Sequence, residues 1–132
     1  MNSYNIPPDV YRITLDTAKR YNALRKRRKE IEQDILYGSS QQKPGGGHGS
    51  PGMPTEQKAL QLLRRKDRIE KQIKAIEDAF LSLPNKQIRQ AVKRNVCDGI
   101  RMDDIYTTMS TRTLKRYRKA FLIKLAQNLE EI

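Results

Sequence analysis

Apolar residues in this chain return every three or four positions and almost nowhere every second position. Tyr21, Leu24, Ile31 and Ile35 form one such stripe, interrupted by Arg28, and Leu62, Ile69, Ile73, Ile76 and Phe80 form another, with Lys66 filling one seam position. That spacing puts the apolar side chains on one side of a 3.6-residue helix, the pattern of a coiled-coil-like seam. No alternating Val/Ile/Thr run is present, and no Asn-Gly or Asp-Gly joins apolar runs in the manner of a β-hairpin. The expected fold class is all-α: a long, coiled-coil-like N-terminal helical hairpin followed by a C-terminal helix-turn-helix domain.

Punctuation in the sequence sets the boundaries. Pro7 and Pro8 open a helix expected to run to Tyr37, with Asp9 or Asp16 as its cap, so that residues 1–37 form the N-terminal helix. Gly38–Gly52 reads GSSQQKPGGGHGSPG, a composition that cannot bury enough apolar surface to offset backbone entropy, and residues 38–53 are expected to be a flexible linker. The second coiled-coil-like helix is expected over 54–82, with Thr55 as cap and Glu56 in its first turn. Two stripes of matching period predict an antiparallel hairpin closed by the linker, or an intermolecular seam that makes a homodimer through residues 18–37 and 59–80.

Residues 83–132 carry the pattern of the expected DNA-binding domain. Pro84 at a first helical position opens a helix with Ile88, Ala91, Val92 and Val96 on one face, and Gly99 is its left-handed cap residue. A short helix is expected over Met102–Thr108, turning Met102, Ile105 and Tyr106 inward. Ser110 then caps a final helix lined by Leu114, Tyr117, Phe121, Leu125 and Leu129.

Charge narrows the function. Lys and Arg outnumber Asp and Glu by 27 to 15, a formal net charge of +12, which calls for an anionic partner. No stretch approaches the roughly 18 apolar residues of a membrane span, and both Phe80 and Phe121 sit at core positions rather than on a membrane-facing surface. Nucleic acid is therefore the expected partner, and the helix-turn-helix layout makes double-stranded DNA the expected form. A single cysteine, Cys97, excludes an intramolecular disulfide, fits a reducing cytoplasm and is expected to be a small buried side chain at a helix end. His48, the one histidine, lies in the linker, and no P-loop, zinc pattern or nucleophile–base pair can be assembled. Neither an enzyme nor a bound cofactor or metal is expected.

The final helix carries six cations (Arg112, Lys115, Arg116, Arg118, Lys119 and Lys124) with no acidic residue before Glu130. Thr111 and Arg112 occupy the first turn, where a recognition helix reaches base edges. Lys115, Arg116 and Lys119 follow, to read further or to grip phosphate. Arg118 and Lys124 are expected to meet phosphate or nothing. A second basic cluster, from Lys19 to Lys29, wraps around its helix and serves either phosphate contact or solubility.

The run Met109-Ser110-Thr111-Arg112-Thr113-Leu114-Lys115-Arg116-Tyr117-Arg118-Lys119 resembles the recognition helix of sigma-factor region 4-like domains, and more particularly that of phage late transcription regulators of the RinA/ArpU type. The likeness extends to Pro54–Leu60 and to Phe121–Ala126. It implies promoter DNA as ligand, host RNA polymerase as partner, activation of phage late genes as function, and Ser110, Thr111, Arg112, Lys115, Arg116 and Lys119 as DNA contacts. Ile105 stands closer to Ser110 than the family pattern has it, so an atypical turn is expected ahead of the last helix. Two other readings remain open: a phage terminase small subunit, which normally places its DNA-binding domain first, and a helical protein–protein adaptor that does not bind DNA.

Overall fold

The computed structural model of the chain describes residues 6–37 and 55–132, and these are all-α, with no strand among them. The elements are α1 (Pro8–Lys19), α2 (Tyr21–Tyr37), α3 (Thr55–Leu81), α4 (Lys86–Val96), a single 3-10 turn (Met102–Asp104) and α5 (Thr111–Asn128). The expected linker 38–53 with His48, and the expected cap side chain of Thr55, lie outside the residues described.

Two compact units divide the chain, one drawing on Met1–Asn22 and Gln72–Ile132, the other on Ala23–Lys71. The division falls inside α2 and α3, so α1 and the last turns of α3 belong with the C-terminal helices.

The first unit is built around aromatic rings. Phe121 of α5 is fully buried and stacks on Phe80 of α3 at 4.3 Å between centroids, and Tyr21 meets the same Phe80 edge-on at 6.2 Å. The Tyr21 hydroxyl donates to Glu77 at 2.8 Å, which satisfies its polar end. Ile73, Ile76, Val92, Leu114, Leu122 and Leu125 are fully buried in the same unit. Asn128 Nδ2 donates to the Ala75 carbonyl at 3.0 Å and ties the end of α5 to α3.

Three local expectations are corrected here. The helix expected from Pro8 to Tyr37 breaks at Arg20, whose N–H bonds to the Thr17 carbonyl at 3.1 Å in a tightened turn. No Gly or Pro marks the break, and the stripe does not register it, because residues three apart stay on one side in either kind of helix. Neither Asp9 nor Asp16 caps α1; Pro7 holds the N-cap position without a side-chain bond, and Asp9 sits in the first turn, where it complements the helix dipole. For α4 the cap is Asn85, whose side chain accepts from the Ile88 N–H at 3.0 Å, and Pro84 stands one residue ahead of it. The end of α4 follows expectation: Gly99 has φ 73, and the turn it permits brings the Ile100 N–H to the Arg94 carbonyl at 3.0 Å.

The second unit contains the rest of α2 and α3. Leu24, Ile31 and Ile69 are buried, and Ile35 and Leu62 are half-buried. Lys66 bridges Glu32 at 3.8 Å and Glu70 at 3.4 Å, which explains how a cation is tolerated in the seam: its stem lines the apolar stripe while its ammonium reaches two carboxylates. Leu36, Tyr37, Leu60 and Leu63 remain exposed. Among the described residues no helix is long and apolar enough to cross a membrane.

Candidate nucleic-acid interface

Ser110 starts α5 in extended backbone, and its Oγ accepts the Thr113 N–H at 3.1 Å while donating to Thr113 Oγ1 at 3.0 Å. This cap satisfies one of the first N–H groups of the helix. The N–H groups of Thr111 and Arg112 have no carbonyl within the helix to bond, and they point along the axis at the positive end of the helix dipole. Ser110, Thr111 and Arg112 are all exposed.

Buried residues fix which way the rest of α5 turns. Leu114, Phe121 and Leu125 face the core, and at 100° per residue Arg112, Lys115, Arg116 and Lys119 fall within an arc of about 100° on the other side. All four are exposed, and they span about 10 Å along the axis. The Arg116 guanidinium lies 5.6 Å from the Tyr117 ring. The six residues expected at the interface (Ser110, Thr111, Arg112, Lys115, Arg116 and Lys119) therefore occur together on the capped end and outer face of α5.

The remaining cations of α5 part company with this face. Arg118 is half-buried and turns toward α1, where its Nη2 donates to the Tyr11 hydroxyl at 3.1 Å; its Nε is buried without a partner. The expectation that Arg118 meets phosphate or nothing is corrected: its guanidinium is a packing and hydrogen-bonding group inside the first unit. Lys124 is exposed but stands about 120° around the helix from Arg112.

Ahead of α5, the short helix expected over Met102–Thr108 is reduced to the 3-10 turn Met102–Asp104. The chain that follows carries the β-branched Ile105, Thr107 and Thr108, and the Thr107 hydroxyl accepts the Met109 N–H at 3.2 Å, a side-chain bond that competes with helix. Ile105 is buried as expected and Met102 is half-buried. Tyr106 is not turned inward; it is 97% exposed. The chain leaves helical backbone at Ile105 (φ −86, ψ 121) and bends again at Thr108, so no helix side directs this ring inward.

Cys97 caps the C-terminus of α4 and is half-buried. Burial pushes its thiol from an ordinary 9.0 up to about 12, with Lys93 opposing and Asp98 reinforcing the shift, so it is held as the unreactive thiol. Among the described residues no group of three or more His, Cys, Asp or Glu could hold a metal ion. No family model matches the chain, and no curated protein or solved structure matches it.

Proposed function

We propose that the chain is a sequence-specific DNA-binding transcription regulator of the phage late-gene type, with α5 as the helix that enters the major groove. The observation that carries this reading is the outer face of α5, where Arg112, Lys115, Arg116 and Lys119 stand exposed on one side of a capped helix. The sequence holds no acidic residue between Asp104 and Glu130. A helix about 10–12 Å in diameter fits a major groove about 12 Å wide. In this arrangement Thr111 and Arg112 approach base edges, and Lys115, Arg116 and Lys119 grip flanking phosphates or continue the reading. The helix-turn-helix of this reading is α4 packed against α5, with the 3-10 turn in place of a second short helix. The stripes of α2 and α3 close an antiparallel hairpin or, in the alternative arrangement, a homodimer through residues 18–37 and 59–80, and host RNA polymerase is the partner at the promoter.

The test is binding of the purified chain to random and to phage late-promoter duplexes across a salt series. Each phosphate neutralised contributes about 0.9 to the slope of log K against log salt, so three lysine and arginine contacts from α5 give a slope of about −2.7 per chain. Promoter-selective binding with at least that slope supports the regulator. Weak, salt-insensitive and unselective binding overturns it, and directs attention to the exposed Leu36, Tyr37, Leu60 and Leu63 as a protein-binding surface.

A further inference from the structure

Between α4 and the segment that leads into α5 lies a half-open cleft of about 190 Å³. One wall is α4, which presents Gln87, Gln90 and Arg94 at helical spacing over Ala91; the other is the non-helical segment Tyr106, Thr107 and Thr108. At about 30 Å³ per water this is room for roughly six waters, enough for a phosphate group with part of its sugar. No acidic residue lines it.

The cations of α4 are not equivalent. Arg89 is spent on the Leu83 carbonyl at 3.3 Å, and Lys93 pairs with Asp98 at 3.6 Å. Arg94 borders the cleft with its guanidinium outside any ion pair or hydrogen bond among the described residues. Tyr106 extends into solvent at 97% exposure, an arrangement that buries none of its apolar ring in the free protein. Arg, Gln, Thr and Tyr are all residue types that donate to phosphate oxygens, and here Arg94, two glutamines and two threonines border one recess with Tyr106 at its rim, two residues from the cap of the candidate recognition helix.

We propose that this cleft seats a backbone phosphodiester of duplex DNA, extending the interface from α5 onto α4. Arg94 supplies the charge, the Gln87, Gln90 and Thr108 side chains supply neutral donors, and Tyr106 closes over the sugar-phosphate from the rim. The proposal rests on the DNA-binding reading of α5. Because a phosphate carries no base identity, the contact positions the protein and does not choose the sequence.

The experiment is the salt dependence of binding to a short random-sequence duplex, measured by fluorescence anisotropy for the full chain and for Arg94→Gln and Tyr106→Ala, with thermal melts as the control on folding. Arg94→Gln is expected to lower the magnitude of the salt slope by about 0.9, and to weaken binding several-fold at moderate salt. Tyr106→Ala is expected to weaken binding with the slope unchanged, since the phenol carries no charge. An unaltered slope and affinity in Arg94→Gln, beside normal binding by the parent chain, overturns the cleft and leaves the α5 reading standing. Failure of the parent chain to bind any duplex overturns both.

Discussion

Arg112 and Arg118 are six residues apart on one helix and carry the same charge, yet their surroundings differ, one exposed and one bonded to Tyr11, and replacing each with alanine tests whether their duties differ too. Arg112 is exposed, so its loss should change stability by no more than about 0.5 kcal/mol. If it reads a base edge, Arg112→Ala costs about 1–3 kcal/mol of discrimination between target and random DNA, roughly 5- to 150-fold in Kd ratio. Equal weakening on both duplexes would instead make it a phosphate contact. Arg118 lies against α1, with Nη2 at 3.1 Å from the Tyr11 hydroxyl. Removing it forfeits one hydrogen bond, about 0.5–1.5 kcal/mol net, together with the packing of its stem. The stranded Nε disappears as well, which offsets part of that loss. A net destabilisation of about 1 kcal/mol follows, or about 4 °C in Tm for a chain of this size. The assay is a calorimetric melt of each variant beside its anisotropy titration over a salt series. The expected result is a double dissociation: Arg112→Ala moves DNA binding and not Tm, while Arg118→Ala moves Tm and not the salt slope. A loss of about 0.9 in salt slope for Arg118→Ala, with Tm unchanged, would refute the assignment of faces on α5.

Two further outcomes test the first unit. Phe121→Ala removes a fully buried ring stacked on Phe80 at 4.3 Å and should lower unfolding free energy by about 3–5 kcal/mol in urea titrations; a midpoint within error of the parent would place that stack outside the cooperative core. The raised thiol of Cys97 makes stability fall as pH rises: the native state keeps its proton while the unfolded chain releases one, so the contribution is fully present below 9.0 and is lost progressively toward about 12. Cys97→Ser should flatten that part of the pH–stability curve, and native Cys97 should alkylate more slowly at neutral pH than the same residue in urea; equal alkylation rates would contradict the buried thiol.

Much of the helical architecture was legible because burial on a helix repeats with the helix. Ile69, Ile73, Ile76 and Phe80 on α3, the four apolar residues of α4, and Leu114, Phe121 and Leu125 on α5 are buried where their spacing puts them. Ala75 and Ala79 are buried beside the α3 stripe, which periodicity missed because alanine is common on any face of a helix. Helical spacing misplaces Tyr106 because β-branched residues and a Thr107 side-chain bond hold the chain out of helix there. The cleft beside it went unseen for a related reason: Gln87, Gln90 and Arg94 look like an ordinary solvated face until another segment is laid against them.

Composition and order along the chain alone determined an all-helical protein with a basic, acid-free final helix, because helix period and net charge are local or additive properties. Which cations remain available to a partner was decided by tertiary structure. Arg118 and Arg112 are indistinguishable as residues, and only the approach of Tyr11 from α1 takes one guanidinium into the fold while its neighbour stays in solvent. The break at Arg20 and the pairing of Phe80 with Phe121 are of the same kind. Each depends on where a distant segment packs, and no stretch of the sequence taken alone contains that information.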